Sequence, residues 1–170
     1  MSDDRTVTLN GKPLELAGHE VKVGDKAPDF TALDNDLKPL GLSSLRGKVR
    51  VVVSVPSLDT PVCDLETRRF NEEASALGEQ VRMLVISMDL PFAQKRWCAA
   101  AGVERVQTLS DHAEAAFGQA YGMLIPAIRL LARAIFVIDA DDVVRYVQLV
   151  PEIAQEPDYD AVLRAVRELL

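Results

Sequence analysis

Val49-Arg50-Val51-Val52-Val53-Ser54-Val55-Pro56-Ser57-Leu58-Asp59-Thr60-Pro61-Val62-Cys63 is the stretch that decides how the chain is read. Its first half is β-branched and nearly continuous, the pattern of a strand covered on both faces. Its second half prepares a helix. Pro61 suits the first helical position, where a missing N–H is no loss. Thr60, pushed out of the α region by the proline that follows it, becomes the N-cap. Cys63 then falls at the third helical position, just past the end of a buried strand, where open α/β sheets build their sites.

Working outward, the helix is expected from Pro61 to about Leu77, with Val62, Leu65, Phe70, Ala74 and Leu77 on its apolar face and Gly78 as its stop. A strand over Val81–Ser87 follows, then a helix from Pro91 to about Ala101 closed by Gly102. Val106–Leu109 reads as a short strand and 112–120 as a short helix. Ala132–Asp139 is another apolar strand, turning at Asp141-Asp142 into an antiparallel Val143–Val150. The last helix spans about Tyr159–Leu170, with Val162, Leu163, Val166 and Leu170 inward. Towards the N-terminus, Asn10-Gly11 between two short alternating runs is a strong hairpin signal, because both central residues of a type I′ turn need positive φ. A second small hairpin is expected around Asn35-Asp36. The order of elements predicts an α/β fold with a mixed central sheet. Residues 1–18 form an N-terminal β-hairpin extension and residues 19–170 the main domain. There is no internal repeat and no low-complexity tract.

Composition narrows the function. The 170 residues are 48% hydrophobic and 26% charged, a globular composition. Lys and Arg number 19 against 26 Asp and Glu, a net charge of −7, so neither nucleic acid nor an anionic membrane surface is an expected partner. No apolar stretch reaches the roughly 18–20 residues that span a bilayer. The polar opening Met1-Ser2-Asp3-Asp4-Arg5 has no secretory pattern, and a cytoplasmic location is the expectation. Two cysteines are too few for a disulfide scaffold; a pair in a reducing compartment would be transient and catalytic.

Cys63 in a first helical turn faces free backbone N–H groups and the positive end of the helix dipole. That effect is about 0.3–1 kcal/mol, too little to make a free thiol mostly anionic at neutral pH. Asp59, Asp64 and Glu66 lie close in sequence and oppose it. A reactive thiolate therefore needs a cation from elsewhere in the fold. Cys98, 35 residues on, sits in Asp89-Leu90-Pro91-Phe92-Ala93-Gln94-Lys95-Arg96-Trp97-Cys98 on the next helix. Free cysteine is commonly a small buried hydrophobe, and nothing local to Cys98 argues otherwise.

Three motifs nevertheless appear in order. They are Pro56-x-x-x-Thr60-x-x-Cys63; Asp89-Leu90-Pro91-Phe92-Ala93-Gln94 followed by Arg96 and Cys98; and Ala132-Arg133-Ala134 before Val137-Ile138-Asp139. Together they resemble the thiol peroxidase branch of the peroxiredoxins, the atypical two-cysteine enzymes, over nearly the whole chain. The resemblance implies a thioredoxin-like fold and a peroxidase that reduces hydrogen peroxide and organic hydroperoxides in antioxidant defence. It implies Cys63 as the peroxidatic nucleophile and Cys98 as the resolving cysteine, joined in an intrachain disulfide that thioredoxin reduces. Arg133 would supply the missing cation, Thr60 would hydrogen-bond the thiolate and the attacked oxygen, and Pro56 would shield the pocket. A homodimer is implied as well, and no cofactor. Because both cysteines lie on helices and a disulfide needs Cα atoms within about 7 Å, a reduced state that keeps the sulfurs apart is expected.

One segment departs from the resemblance. Met123-Leu124-Ile125-Pro126-Ala127-Ile128-Arg129-Leu130-Leu131 is short and largely apolar where the family carries a polar, Gly-containing loop. It is either an exposed sticky patch or a piece of core or dimer contact. Two further functions compete with the peroxidase. A dithiol oxidoreductase would use Cys-x-x-Cys, but positions 60 and 66 are Thr and Glu. A redox-responsive binding protein would use the two cysteines as a switch. His19 and His112 with the two cysteines make no metal spacing, Trp97 reads as a packing anchor, and Arg68 and Arg69 read as a solvated helix face.

Overall fold

In the computed structural model, which describes residues 5–170, Asn10 and Gly11 take φ of 51° and 82°, as a type I′ turn requires. They close a hairpin of β1 (Thr6–Leu9) and β2 (Lys12–Glu15). Residues 1–4, the head of the expected extension and of the polar opening, lie outside the described residues. The second hairpin pairs β3 (Thr31–Leu33) with β4 (Pro39–Gly41) around the expected turn, where Asp34 Oδ1 accepts the amides of Asp36 and Lys38. Next come β5 (Val49–Ser54), α1 (Pro61–Leu77), β6 (Val81–Ser87), α2 (Pro91–Ala101) and β7 (Val106–Ser110). A short α3 (Ala116–Ala120) leads to a small hairpin of β8 (Leu124–Ile125) and β9 (Leu130–Leu131). The chain ends with β10 (Ala134–Ile138), β11 (Val144–Leu149) and α4 (Tyr159–Arg167).

The main sheet has seven strands in the order β11-β10-β5-β6-β7-β3-β4. β5, β6 and β7 run parallel, and the remaining neighbours pair antiparallel, which makes the expected mixed sheet. Every residue of β5 is buried, and its continuous apolar run conceals two faces. Val51 and Val53 join Met83, Val85, Ile135 and Val137 beneath Phe70 of α1 and Val162 and Val166 of α4. Val52 joins Leu84, Ile86 and Phe136 on the other side, against Phe30, Phe117 and Tyr121. Those last three aromatic rings lie with centroids 4.8–5.6 Å apart, the spacing of favourable edge and offset contacts.

Two helices differ in part from expectation: of the α1 face, Phe70 is buried and Ala74 and Leu77 pack against the core as expected, but its first turns do not follow. In α1 the buried residues are Cys63, Glu66, Thr67 and Phe70, while Leu65 is 55% exposed. The stripe that begins at Cys63 is one residue away from the stripe through Val62 and Leu65. A tertiary ion pair to Glu66, described below, fixes that rotation. Asp158 Oδ1 caps α4 by accepting the Ala161 amide, and Val162, Leu163 and Val166 are buried. The helix stops at Arg167, however, and Leu170 is 59% exposed rather than inward. The expected 112–120 helix is shortened to α3, because the Asp111 carboxylate accepts the Phe117 and Gly118 amides and starts the helix late. Segment 123–131 is both core and surface: Met123, Leu124, Ile125 and Leu131 are buried, and the tip 126–129 is exposed.

Candidate active site

β5 ends beside β6, where the Val55 amide donates to the Ile86 carbonyl. The loop that follows is anchored by Asp89 from the β6–α2 turn. That carboxylate accepts the Ser57 hydroxyl at 2.7 Å, the Leu58 amide at 2.8 Å and the Ser87 hydroxyl at 2.7 Å. Thr60 is the N-cap of α1, with extended φ and ψ of −96° and 148°, and Pro61 occupies the first turn. Its side chain makes no capping bond. The Thr60 hydroxyl donates instead to the Ser57 carbonyl at 2.8 Å, closing the turn that delivers the chain to the helix. Pro56 is buried in the same loop.

Cys63 is fully buried at the first turn of α1. Arg133, which immediately precedes β10, is also buried and directs Nη2 to within 3.2 Å of the Cys63 Sγ. Its Nη1 donates to Glu66 Oε2, and its Nε donates to the Ile153 carbonyl at 2.9 Å. The guanidinium is therefore fixed by three partners on two segments, α1 and the loop after β11. Burial disfavours its charge, but Glu66 and Cys63 outweigh burial and hold Arg133 above its usual range. Burial pushes the Glu66 carboxyl from 4.5 up to about 7, against the opposite pull of Arg133. A guanidinium does not lose its proton in proteins, so Glu66 is the member of the pair that titrates.

Glu66 has a second role that its place in the sequence does not show: besides being a carboxylate close to Cys63, it is buried three residues along the helix and holds Arg133. Spacing gave a signal: on an α-helix, positions i and i+3 share a face. Among the described residues, Glu66 Oε1 has no hydrogen-bond partner.

Pro56, Thr60, Val62 and Arg133 line a cavity of about 340 Å³ whose far wall is Ile125, Ile128 and Leu130. The apolar 123–131 segment thus forms one side of the site, and the β1–β2 hairpin closes over it with Leu9 and Asn10. Cys98 lies outside this cavity. It is half-buried on α2, with its Sγ 3.4 Å from the Thr108 hydroxyl, which itself donates to Asn35 Oδ1 at 2.8 Å. Both cysteines are free. Pro56, Thr60 and Arg133 therefore share the cavity, Cys63 is fully buried and joined to it through Arg133, and Cys98 lies beside a separate groove.

A sulfur held by a buried arginine at the strand–helix junction of such a mixed sheet is a candidate redox centre in a thioredoxin-like fold. The chain belongs to the Redoxin family, whose model matches residues 22–163. It is 55% identical over 165 residues to a thiol peroxidase of Halalkalibacterium halodurans, covering 97% of this chain and 99% of that one. It is 49% identical over 164 residues to a thiol peroxidase of Bacillus subtilis, covering 96% and 98%. A crystal structure of a peroxiredoxin-like protein from Aquifex aeolicus superposes with a TM-score of 0.92 at 47% identity, covering 98% of each chain. These relatives place the chain in the thiol peroxidase branch of the peroxiredoxins as a peroxiredoxin-type peroxidase. Among the described residues, no helix is long and apolar enough to cross a membrane.

Proposed function

We propose that the chain reduces hydrogen peroxide and organic hydroperoxides with Cys63 as the nucleophile, and that Cys98 and thioredoxin return it to the thiol state. The observation that carries this reading is the Arg133 Nη2 atom 3.2 Å from Cys63 Sγ, both buried. The thiolate attacks one peroxide oxygen and the O–O bond breaks. Sulfur becomes a sulfenic acid, and the departing oxygen leaves as water or an alcohol after taking a proton. Arg133 stabilises the thiolate and the charge developing on the oxygens. Thr60 contributes by turning its hydroxyl from Ser57 towards the reacting atoms, and Pro56 keeps bulk water from the sulfur. The apolar wall of Ile125, Ile128 and Leu130 supports acceptance of the alkyl part of an organic hydroperoxide.

In the second step the Cys98 thiol attacks the Cys63 sulfenic acid, a disulfide forms and water leaves. Thioredoxin then reduces that disulfide by thiol exchange. A cytoplasmic homodimer belongs to the same reading, supported by kinship with the bacterial thiol peroxidases.

The test is stopped-flow peroxide consumption coupled to thioredoxin and its reductase. The expected result is rapid turnover in the wild type and none in Cys63→Ser. Cys98→Ser should complete one oxidation and lose coupled turnover. Unchanged steady-state activity in Cys98→Ser would remove the intrachain mechanism. Slow, stoichiometric oxidation of the wild type would favour the switch-like binding protein instead.

A further inference from the structure

Asp64 follows Cys63 in α1, and Trp97 precedes Cys98 in α2. The two are joined directly: Asp64 Oδ1 accepts the Trp97 indole N–H at 2.9 Å. The second carboxylate oxygen accepts Nε–H of Arg68 at 2.9 Å. The Arg68 guanidinium lies 5.8 Å from the Trp97 ring centroid, and its Nη1 donates to the Ala101 carbonyl at the end of α2 at 3.4 Å. Arg68 and Trp97, read from the sequence as a solvated cation and a packing anchor, are thus parts of one cluster. It runs between the immediate neighbours of the two cysteines.

The geometry of an α-helix gives this cluster a consequence. Successive side chains point about 100° apart around the axis, at 3.6 residues per turn. When Asp64 and Trp97 face each other across the helix pair, Cys63 and Cys98 are each turned roughly 100° away from that line. The contacts agree with this, for Cys63 Sγ lies against Arg133 and Cys98 Sγ against Thr108. Both sulfurs cannot meet while both helices keep their turns and the Asp64–Trp97 bond stays closed.

We propose that Asp64 and Trp97, with Arg68 across them, form a latch that holds the peroxide-reactive state and sets the rate of the resolving step. The inference rests on Cys63 and Cys98 forming the disulfide proposed above. After the first oxidation, the Cys63 sulfenic acid has two fates. With the latch open, Cys98 condenses with it and water leaves. With the latch closed, a second peroxide molecule transfers an oxygen to it, giving a sulfinic acid and water or an alcohol. The latch therefore lengthens the life of the sulfenic acid and raises its exposure to over-oxidation.

The experiment is rapid acid quench followed by thiol blocking and mass spectrometry, with hydrogen peroxide as the probe. Trp97→Phe keeps an aromatic ring and removes the N–H donor along with the smaller ring of the indole. It should leave sulfenic acid formation unchanged and speed disulfide formation about tenfold, the scale of one hydrogen bond to a charged group. The peroxide concentration giving half sulfinic acid should rise by the same factor. Asp64→Ala should speed disulfide formation likewise and answers the question if Trp97→Phe does not fold. Asp64→Asn keeps an acceptor for the indole and should fall between wild type and Asp64→Ala. Disulfide formation that is unchanged or slower in both Trp97→Phe and Asp64→Ala would overturn the latch. Absence of a Cys63–Cys98 disulfide in the wild type would instead overturn the reading on which the latch rests. Trp97 is the single tryptophan of the chain, so in the wild type its fluorescence should change in the second kinetic phase and not in the first.

Discussion

Cys63 and Glu66 share one buried cation in this site, and Glu66→Gln separates their claims on it. Glutamine keeps the shape of the side chain and an oxygen to accept from Arg133 Nη1, but it removes the negative charge. Cys63 Sγ and Glu66 Oε2 both touch the same guanidinium. Two like charges on the order of 6 Å apart repel by about 3 kcal/mol at an effective dielectric constant of about 20, equivalent to roughly two pH units. Burial pushes Glu66 up to about 7, so its charge develops as pH rises through neutrality. The expected effect is therefore small below neutrality and grows towards the full repulsion at higher pH. The sign follows from the charge removed: without the carboxylate, Arg133 serves the sulfur alone and the thiolate forms more readily. The assay is the rate of iodoacetamide alkylation against pH in a Cys98→Ser background, where the midpoint of reactivity should move down. A midpoint that stays within a few tenths of a unit, or moves up, would refute the shared-cation argument. Glu66→Ala is the companion: it frees Arg133 from its partner and should slow peroxide reduction across the pH range.

The same carboxyl affects stability. Its folded value near 7 lies above the ordinary 4.5, so the folded state holds the proton more tightly. That contribution is fully present below about 4.5 and is lost as pH rises through about 7, at most on the order of 3 kcal/mol. Thermal denaturation should show the Glu66→Gln variant losing less stability than wild type between pH 5 and 8, and parallel curves would count against it. Arg133→Met should slow the first oxidation by about a hundredfold or more, the usual loss when one preorganised donor is removed from a buried site. Stopped-flow peroxide reduction measures this, and a near-wild-type rate would mean that the charge on the sulfur is met by another group.

What could be read from the sequence, and what could not, divides along the range of the forces involved. The Asn10-Gly11 turn, the Thr60-Pro61 helix start and the position of Cys63 follow from backbone sterics within a few residues. The strand at Val49–Ser54 follows from its own apolar run. The rotation of α1 does not. Hydrophobic periodicity puts Leu65 inward and Glu66 outward, and the reverse holds because Arg133, 67 residues away in sequence, is buried and needs a carboxylate. Leaving one half of a buried ion pair unmatched costs about 3–5 kcal/mol, more than the roughly 1.5–3 kcal/mol of burying a leucine. Thr60 shows the same limit on a smaller scale. Its place as N-cap is set locally, but its hydroxyl follows the Ser57 carbonyl, which the Asp89-anchored loop holds in reach.

The arginine itself reaches the sulfur through sheet register. β10 runs antiparallel to β5, with Ala134 opposite Ser54, so the start of β10 abuts the end of β5, next to the first turn of α1. The Ser54 hydroxyl fixes that alignment by donating to the Ala132 carbonyl at 2.7 Å. A parallel β10 would deliver residue 133 to the opposite end of the sheet. A slip of one residue would turn its side chain to the other face, and a slip of two would displace it along the strand by about 7 Å, twice the rise per residue. Either error leaves Cys63 facing only the first-turn amides, whose effect of about 0.3–1 kcal/mol was too weak to hold a thiolate. The Arg133–Cys63 contact is thus a property of correctly paired strands. An unfolded or misregistered chain keeps the cysteine and loses the guanidinium beside it.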